Sequence, residues 1–482
     1  MNLHAITRFI GIVVLFLGIS MVPPLLISFV FRDGSTEALI LSMLITFSSG
    51  LILFISTKRQ KDVHLNHRDG IAIVTLGWVM AGLFGTLPYI FSGFIPDFTN
   101  AYFESISGFT TTGSTILGNI ECLPEGLLLW RSQTQWLGGM GIIVLSIAIL
   151  PFLGVGGMQL YRAEIPSPVV DKLKPRISET AKTLWKAYVL ITIVEVVLLF
   201  AGGMSMFDAV CHSFCTMPTG GFSTKNAGIA QFDSPYLDGL IILFMLIAGI
   251  NFSLHYGFLK GDFTVFGNDA ECRFFLILVG SFTLIVTLDI YGPVYHSFGG
   301  SFHQAAFQVS SIITTTGFVT ADYDKWPALS RLILLICMFL GAMAGSTGGG
   351  MKTMRVMLLI RHCYKQVFRI IHPHAVTTVK LGGKPVPQDI LNSIWGFFVL
   401  YLGLFILATL IMAYLGLDMV SAFASVSASI GNIGPGLGVV GPSKNYLAIP
   451  MIGKWVLISC MLLGRLEIYT VIVLFTPEYW RK

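Results

Sequence analysis

Apolar residues in this chain neither alternate with polar ones at the period of a strand nor keep to one helical stripe. They come in near-continuous runs of about 20 residues, the length that crosses a hydrocarbon core roughly 30 Å thick. Such runs cover 9–29, 38–56, 71–94, 135–157, 184–203, 237–259, 273–292, 329–371 with an interruption, 391–416 and 451–475. The short alternating segments of a membrane barrel are absent, so the pattern predicts helices, which satisfy their own backbone hydrogen bonds in lipid. Four further apolar segments, 98–112, 207–219, 302–316 and 418–432, are too brief to cross, since a dozen residues cover only about 18 Å. They are expected to enter the membrane and return, while ten spans bring both termini to one side.

Each brief segment ends in a glycine-containing turn. The four turns are Thr110-Thr111-Thr112-Gly113, Met217-Pro218-Thr219-Gly220, Thr314-Thr315-Thr316-Gly317 and Gly431-Asn432-Ile433-Gly434. The chain thus reads as span, half-helix, turn, span, four times in one orientation, the parallel class of membrane repeat. The predicted division is an N-terminal hairpin, 1–62, followed by quarters 63–165, 166–265, 266–375 and 376–482. The expected fold is all-α, with the quarters arranged around a pseudo-fourfold axis.

Irregular backbone at membrane depth is tolerated only where it is buried in protein or lines a watery cavity. Four turns meeting on one axis would line one. Gly113, Gly220, Gly317 and Gly434 each permit φ > 0, so successive carbonyls can be aimed the same way, inward, to replace an ion's hydration. None of the four turns contains an acid, which favours a weakly hydrated monovalent cation such as K⁺ over a divalent one. The half-helices also point partially negative C-terminal ends at the cavity. The predicted filter comprises Thr111, Thr112, Gly113, Thr219, Gly220, Thr315, Thr316, Gly317, Asn432, Ile433 and Gly434. K⁺ is expected at Thr111, Thr112, Thr219, Gly220, Thr315, Thr316, Asn432 and Ile433.

Composition agrees with this pattern. The 482 residues are 54% hydrophobic and 11% charged, with mean hydropathy +0.78, far from the quarter of charged residues usual in soluble domains. The seven cysteines are scattered, and Cys211, Cys215, Cys272, Cys337 and Cys460 lie in or beside apolar segments, which gives no disulfide framework. The first run contains Pro23-Pro24 and lacks a small-residue cleavage site, so it reads as a retained helix and not a signal peptide. Lysine and arginine set the orientation: 22 fall on the side of the termini and seven on the other, which makes the termini cytoplasmic. The seven are Arg32, Arg131, Lys225, Lys325, Arg331, Lys444 and Lys454. Outer loops carry Asp97, Glu121, Glu125, Asp233, Asp238, Asp322 and Asp324, either ordinary loop acids or a vestibule that concentrates cations.

Two features break the fourfold likeness. The span beginning near Leu329 is interrupted at Gly345-Ser346-Thr347-Gly348-Gly349-Gly350, where four glycines in six residues cannot hold a helix. Its resemblance to a phosphate loop fails, because Met351 displaces Lys352 by one place and no strand precedes it. A loop beneath the filter that can move aside is the favoured reading. Aligning the last span of each quarter sets Gly138-Gly139, Ala248-Gly249, Gly341-Ala342 and Gly464-Arg465 in register, so small residues face an arginine. A mid-span arginine costs roughly 2.5 to 3.5 kcal/mol on insertion scales and should face the interior, paired. Glu467, two residues on, cannot reach it along a helix. The partner is sought in the carbonyls of the glycine-rich loop or in an acid of another quarter.

On these motifs the chain resembles the membrane subunits of the bacterial Trk potassium transporters, the TrkH family, in the superfamily that includes Ktr and the plant HKT transporters. The residues carrying the resemblance are Thr110–Ser114, Met217–Thr224, Thr314–Phe318, Ser429–Gly436 and Ser346–Thr353. It implies K⁺ uptake through a K⁺-selective, Rb⁺-permeable pore, filter glycines at 113, 220, 317 and 434, and a gate formed by Gly345–Gly350 with Arg465. It also implies a homodimer in the bacterial inner membrane and a cytosolic TrkA-like ring of nucleotide-binding subunits, to which NAD or ATP sensing would belong. Some HKT relatives carry serine at the first filter glycine, associated with Na⁺ preference; Gly113 favours K⁺.

The remaining signals are weaker. Cys211-His212 with Cys215 falls on a half-helix and reads as packing; His362-Cys363 and His372-Pro373-His374 lack four-ligand spacing. Glu195, Asp289 and Asn251 are polar groups in or at the ends of spans, suited to helix-to-helix hydrogen bonds or to Na⁺ or proton coupling. The cytoplasmic linkers 160–187 and 361–390 are basic. No convergent set of acids, histidines or metal ligands supports a membrane enzyme, and nothing points to nucleic acid. The closer rival is a carrier coupling K⁺ to Na⁺ or H⁺.

Overall fold

The computed structural model describes residues 1–57, 66–148, 173–375 and 377–481. Among the described residues, six helical stretches are long and apolar enough to cross a membrane: Leu3–Phe31, Thr36–Ser56, Arg68–Phe91, Ala181–Ala201, Ala270–Ile290 and Gln388–Tyr414. They provide the hairpin and the outer, first span of each quarter. The hairpin closes on small residues, since a Cβ on Gly50 would sit 2.6 Å from the backbone nitrogen of Leu15, the close approach typical of helix pairs in lipid.

The inner spans of the second and fourth quarters depart from the expected unbroken run, while that of the third carries its expected interruption. Pro235–Gly249 and Phe252–Leu259 meet at a 103° bend, and Met451–Arg465 and Ile468–Phe475 at 116°. Ala328–Leu340 and Thr353–Ile371 are separated by the glycine-rich segment. Asn251 caps the helix that follows the first bend by accepting from Ser253 N at 2.9 Å, and Glu467 takes φ 61° at the second. Hydropathy cannot register a two-residue break between apolar segments.

In the first quarter the inner helix runs Glu125–Ala148, beginning ten residues before the apolar run it was expected to follow. Its first turns are polar yet buried: Arg131, Ser132, Gln133, Thr134 and Gln135 are all inside. The expected inner end of this span, 149–157, lies outside the described residues. So do Lys58, Arg59, Lys61, Arg162, Lys172 and Lys482 of the basic set, and residues 160–172 of the 160–187 linker. A small antiparallel hairpin, Lys380–Leu381 with Lys384–Pro385, sits in the 361–390 linker and departs from an all-helical chain.

The four brief segments form the half-helices Phe98–Phe109, Met206–Thr216, Phe298–Ile313 and Met419–Ile430. Each starts at a side-chain cap: Asp97 accepts from Asn100 N, Ser205 from Asp208 N, Ser297 from Gly300 N and Asp418 from Ser421 N. An aspartate or serine there satisfies a free helix N–H and fixes where the half-helix begins.

A buried ion pair joins the first half-helix to its inner helix. Arg131 Nε lies 2.7 Å from Glu104 Oε1, with both side chains at 2% exposure or less. Arg131 also donates to Ser223 O at 3.0 Å and stacks 3.5 Å over the Phe222 ring. It therefore belongs to the interior and not to the outer loops. The structure leaves Glu104 uncompensated if the arginine is lost, which costs about 3–5 kcal/mol in a buried pair. Arg131→Ala should accordingly lower the thermal unfolding midpoint of the purified protein in detergent, and Glu104→Gln/Arg131→Met should recover much of the loss. An unchanged midpoint in the single variant would show that the pair is not holding the half-helix.

Candidate functional site

The four turns share one backbone. Where each half-helix ends, an N–H reaches back five residues: Thr112 N to Ser107 O, Gly220 N to Cys215 O, Thr316 N to Ser311 O and Ile433 N to Ala428 O, all at 2.8 Å. The preceding residue is left-handed in every case, with φ 52° at Thr111, 57° at Thr219, 60° at Thr315 and 54° at Asn432. Left-handed backbone is uncommon for residues with a Cβ and most unusual for β-branched threonine. The residue after next is again left-handed and is a glycine: Gly113 at 81°, Gly221 at 76°, Gly317 at 82° and Gly434 at 97°. Alternating the hand in this way aims successive carbonyls to one side, where a strand would alternate them.

This backbone register corrects one expectation. The counterpart of Gly113, Gly317 and Gly434 is Gly221, while Gly220 takes the place of Thr112, Thr316 and Ile433 and its φ is not positive. Aligning the turns on Thr-Gly hid the shift, because the second turn carries two adjacent glycines. Each left-handed glycine abuts the carbonyl of the next turn. A Cβ on Gly113 would lie 2.1 Å from Gly220 O, on Gly221 2.0 Å from Thr316 O, on Gly317 1.8 Å from Ile433 O and on Gly434 2.7 Å from Thr112 O. The contacts run from first quarter to second, third, fourth and back to first, so the turns close a ring.

The ring is built of oxygen. Thr111 Oγ1 and Asn432 Oδ1 are buried without a hydrogen-bond partner among the described residues. No acid occurs in the four turns, and the half-helices end at Phe109, Thr216, Ile313 and Ile430, which brings four partially negative helix ends to it. Neutral oxygens of this kind suit a monovalent cation that sheds water readily. All the predicted filter positions therefore meet at one place.

The glycine-rich segment, 341–352, lies against the inner end of this ring. Gly349 N donates to Thr315 Oγ1 at 2.6 Å, and Thr347 Oγ1 donates to Met217 O at 2.9 Å and Ala248 O at 3.1 Å. A Cβ on Gly349 would sit 2.3 Å from Gly431 O, and one on Gly348 2.9 Å from Thr314 O, so only glycine allows the segment so close beneath the turns. Ala344 N donates to Glu271 Oε1 at 2.7 Å, and Phe252 N to Gly345 O at 3.1 Å. Gly345, Ser346, Thr347, Gly348, Gly349 and Gly350 thus touch three quarters at once.

Arg465, the last residue of Met451–Arg465, is 3% exposed and donates through Nη1 to Thr347 O at 2.7 Å. Its partner is a carbonyl of the loop, one of the two choices open from sequence. Arg465 Nε and Nη2 have no partner among the described residues. Glu467 is taken by Arg355 at 2.6 Å, and Lys352 Nζ donates to Gly348 O. Three cationic side chains therefore gather under an anion-free ring.

Other predicted residues have different work. His212 donates through Nδ1 to Asp208 O at 2.8 Å, and its Nε2 shares a hydrogen bond with Ser223 Oγ at 2.9 Å, which occupies both ring nitrogens. Asp289 accepts from Ser330 N at 3.0 Å and Oγ at 2.6 Å, and Glu195 is buried on Leu173–Ala201. Of the outer acids, Asp97 is a helix cap, Asp238 pairs with His303 at 2.7 Å, Asp322 with Lys325 at 3.1 Å, and Glu121 accepts from Asn226 N at 3.1 Å. Glu121 and Asp238 join separate segments, while Asp97 and Asp322 act within their own. Sequence reading missed Gly221, the Glu104–Arg131 pair and Gln135, the last two because a polar, buried start to a helix looks like a loop.

Residues 35–482 match the family described as TrkH, cation transport protein. The chain is 45% identical over 487 residues to the Trk system potassium uptake protein TrkH of Salmonella typhimurium, covering 100% of both chains. It is 43% identical to the protein of that name from Halomonas elongata over 486 residues, again covering 100% of both. The crystal structure of the potassium transporter TrkH from Vibrio parahaemolyticus superposes with a TM-score of 0.92 at 39% identity, covering 100% of each chain.

The ring register has a direct test. A Cβ at 221 meets a backbone oxygen, and φ there is left-handed, whereas a Cβ at 220 meets a side chain, that of Gln135, at a φ that is not left-handed. Gly221→Ala should therefore lower the thermal midpoint in detergent more than Gly220→Ala, by an extra 1 to 2 kcal/mol or so from backbone strain alone. The reverse order would return the register to Gly220.

Proposed function

The chain belongs to the TrkH family of cation transport proteins, and from that premise we propose that it is a K⁺ uptake protein whose ring of four turns conducts the ion. One observation carries the proposal: four turns of identical backbone close a ring in which glycines at 113, 221, 317 and 434 admit the neighbouring carbonyls. K⁺ exchanges its water for these oxygens, with Rb⁺ as the closest substitute. The protein works as a conduit and not as an enzyme. The division into a hairpin, 1–62, and quarters 63–165, 166–265, 266–375 and 376–482 follows the recurrence of half-helix and turn.

On this reading the filter is not the gate. The 345–350 loop fills the space under the ring, and Arg465 holds it by Thr347 O while presenting charge to an ion leaving the filter. Opening moves the loop aside and breaks that hydrogen bond. Its relatives are named as parts of a Trk system, which supports a second, cytosolic component. A TrkA-like ring of nucleotide-binding subunits would dock on the basic cytoplasmic linkers and carry any NAD or ATP sensing. The same reading makes the chain a homodimer in the bacterial inner membrane with both termini cytoplasmic, as the charge distribution supports.

The deciding experiment is K⁺ flux into liposomes at fixed voltage, with and without a Na⁺ or pH gradient. Flux that follows the K⁺ gradient alone supports a channel; an obligatory co-ion makes the protein a carrier. Gly113→Ser is expected to raise the Na⁺/K⁺ permeability ratio, because its Cβ must displace Gly220 O from the ring; an unchanged ratio sinks the filter assignment. Arg465→Ala, or deletion of 346–350, should increase Rb⁺ flux, on the order of tenfold for each ~1.4 kcal/mol of barrier removed. Equal or lower flux from well-folded protein would exclude this gate.

A further inference from the structure

Four backbones of one shape are held in place by four different side-chain devices. In the first and third turns the hydroxyls of Thr110 and Thr112, and of Thr314 and Thr316, share hydrogen bonds at 2.7 and 2.8 Å. In the fourth, Asn432 Nδ2 donates to Met461 O and to Thr112 Oγ1, both at 3.0 Å. The second turn has Pro218 and Gly220 where those threonine hydroxyls stand, so it has no such link of its own. Gly220 is also the one member of the row Thr112, Gly220, Thr316 and Ile433 without a side chain.

That vacancy is filled from the neighbouring quarter. Gln135, fully buried on the first quarter's inner helix, donates through Nε2 to Gly220 O at 2.6 Å and accepts from Phe222 N at 3.2 Å. A Cβ on Gly220 would lie 2.4 Å from Gln135 Cδ. The amide therefore occupies the volume a side chain at 220 would need, and it brackets the peptide of the left-handed Gly221. The same register on the fourth inner helix holds Met461: it stands three residues before Gly464 as Gln135 stands before Gly138. Both glycines back onto the last carbonyl of their own half-helix, Ile430 O at 2.0 Å and Phe109 O at 1.9 Å from a built Cβ. An apolar side chain suffices on the fourth inner helix, where the next turn around the ring is the first and carries Thr112; an amide appears on the first inner helix, where the next turn carries Gly220.

We propose that Gln135 is a specificity-determining positioning residue, which fixes the Gly220 carbonyl in the ring and so sets how well the second turn discriminates between K⁺ and Na⁺. The inference rests on the reading that the ring conducts K⁺. Two adjacent glycines leave the peptide between them free to rotate; the Gln135 donor and acceptor together remove that freedom. Its donor also shares the oxygen that an ion would use, so this carbonyl offers a weaker field than those of Thr112, Thr316 and Ile433.

The experiment uses the full-length protein in liposomes, with Rb⁺ uptake, the K⁺/Na⁺ permeability ratio and the thermal midpoint measured for each variant. Gln135→Met, which keeps the volume, should lower the K⁺/Na⁺ ratio roughly three- to tenfold, the scale of one lost buried hydrogen bond, while Rb⁺ uptake persists. Gly220→Thr alone should lose uptake through collision with Gln135. Gln135→Ala/Gly220→Thr, which gives the second turn the side chain of the first and third, should recover both uptake and ratio. A wild-type ratio in Gln135→Met, a tolerated Gly220→Thr, or a double variant no better than the worse single each overturns the proposal. If Gln135→Met does not fold, the double variant decides alone: recovered uptake and ratio support the proposal, and their absence overturns it. Gly113→Ser in the same preparations separates the two levels. If it shifts the ratio while Gln135→Met does not, only this inference fails; if both are silent, the filter reading itself fails.

Discussion

Backbone that leaves the helix inside a membrane must find partners for its polar groups within the protein, and the rest of this structure follows from how the four turns meet that demand. Their N–H groups are used backward, Thr112 N, Gly220 N, Thr316 N and Ile433 N each returning to the half-helix just left. Gly434 O accepts from Tyr446 Oη at 2.6 Å and Met217 O from Thr347 Oγ1 at 2.9 Å, but the carbonyls that abut the left-handed glycines gain almost no donors. Among the described residues nothing donates to the oxygens of Thr112, Thr316 or Ile433, and Gly220 O receives only Gln135. A surplus of buried acceptors on one axis is costly unless a cation or water supplies the missing partner. The same accounting explains the left-handed threonines: the strain at Thr111, Thr219 and Thr315 is what keeps the acceptors on one side.

The broken inner helices answer a second demand, for donors beneath that surplus. An unbroken helix would keep its N–H groups for itself. The segment from Gly341 to Lys352 instead offers Gly349 N to Thr315 Oγ1, and its own carbonyls are met by Arg465, Lys352 and Phe252 N. Glycine is required at 348 and 349 because backbone of the third and fourth turns lies where a Cβ would go. A segment so held is tied by hydrogen bonds to three quarters and by the buried side chains of Ala342, Met343 and Met351, so it moves aside only if those contacts break together. Cationic side chains under the ring add an electrostatic element, since among the described residues Arg465 is held by a carbonyl and is not paired with a carboxylate, Glu467 being taken by Arg355.

Most of the architecture could be read from the chain because spans and half-helices differ in length, and length is a one-dimensional property. The half-helices were bounded to within a few residues for that reason. Bends at Ile250-Asn251 and Leu466-Glu467 were not, since a two-residue break leaves hydropathy intact. The start of the helix at Glu125 was missed on opposite grounds: Arg131, Ser132, Gln133, Thr134 and Gln135 look like loop and are buried because they serve the half-helix and turns beside them. The ring's composition was legible from the recurrent glycines. Its register in the second quarter was not, because Gly220 and Gly221 are interchangeable on paper and differ only in φ.

The fourfold likeness therefore belongs to the backbone and not to the side chains, and this difference bears on how such a site can vary. A four-chain ring of one sequence must solve each position once and repeat the answer. Here the same carbonyl position is steadied by a threonine pair in two quarters, by an amide from the adjacent inner helix in one, and by Asn432 in the last. Each device can change alone, provided the residue it packs against accommodates the change, as Gly220 accommodates the Gln135 amide. Coupling of this kind is expected to make substitutions across quarter boundaries strongly non-additive. It also lets one quarter depart furthest: the fourth, which replaces the threonines by Gly431-Asn432-Ile433, also supplies Arg465. The quarter least like the others at the ring is the one that holds the loop beneath it.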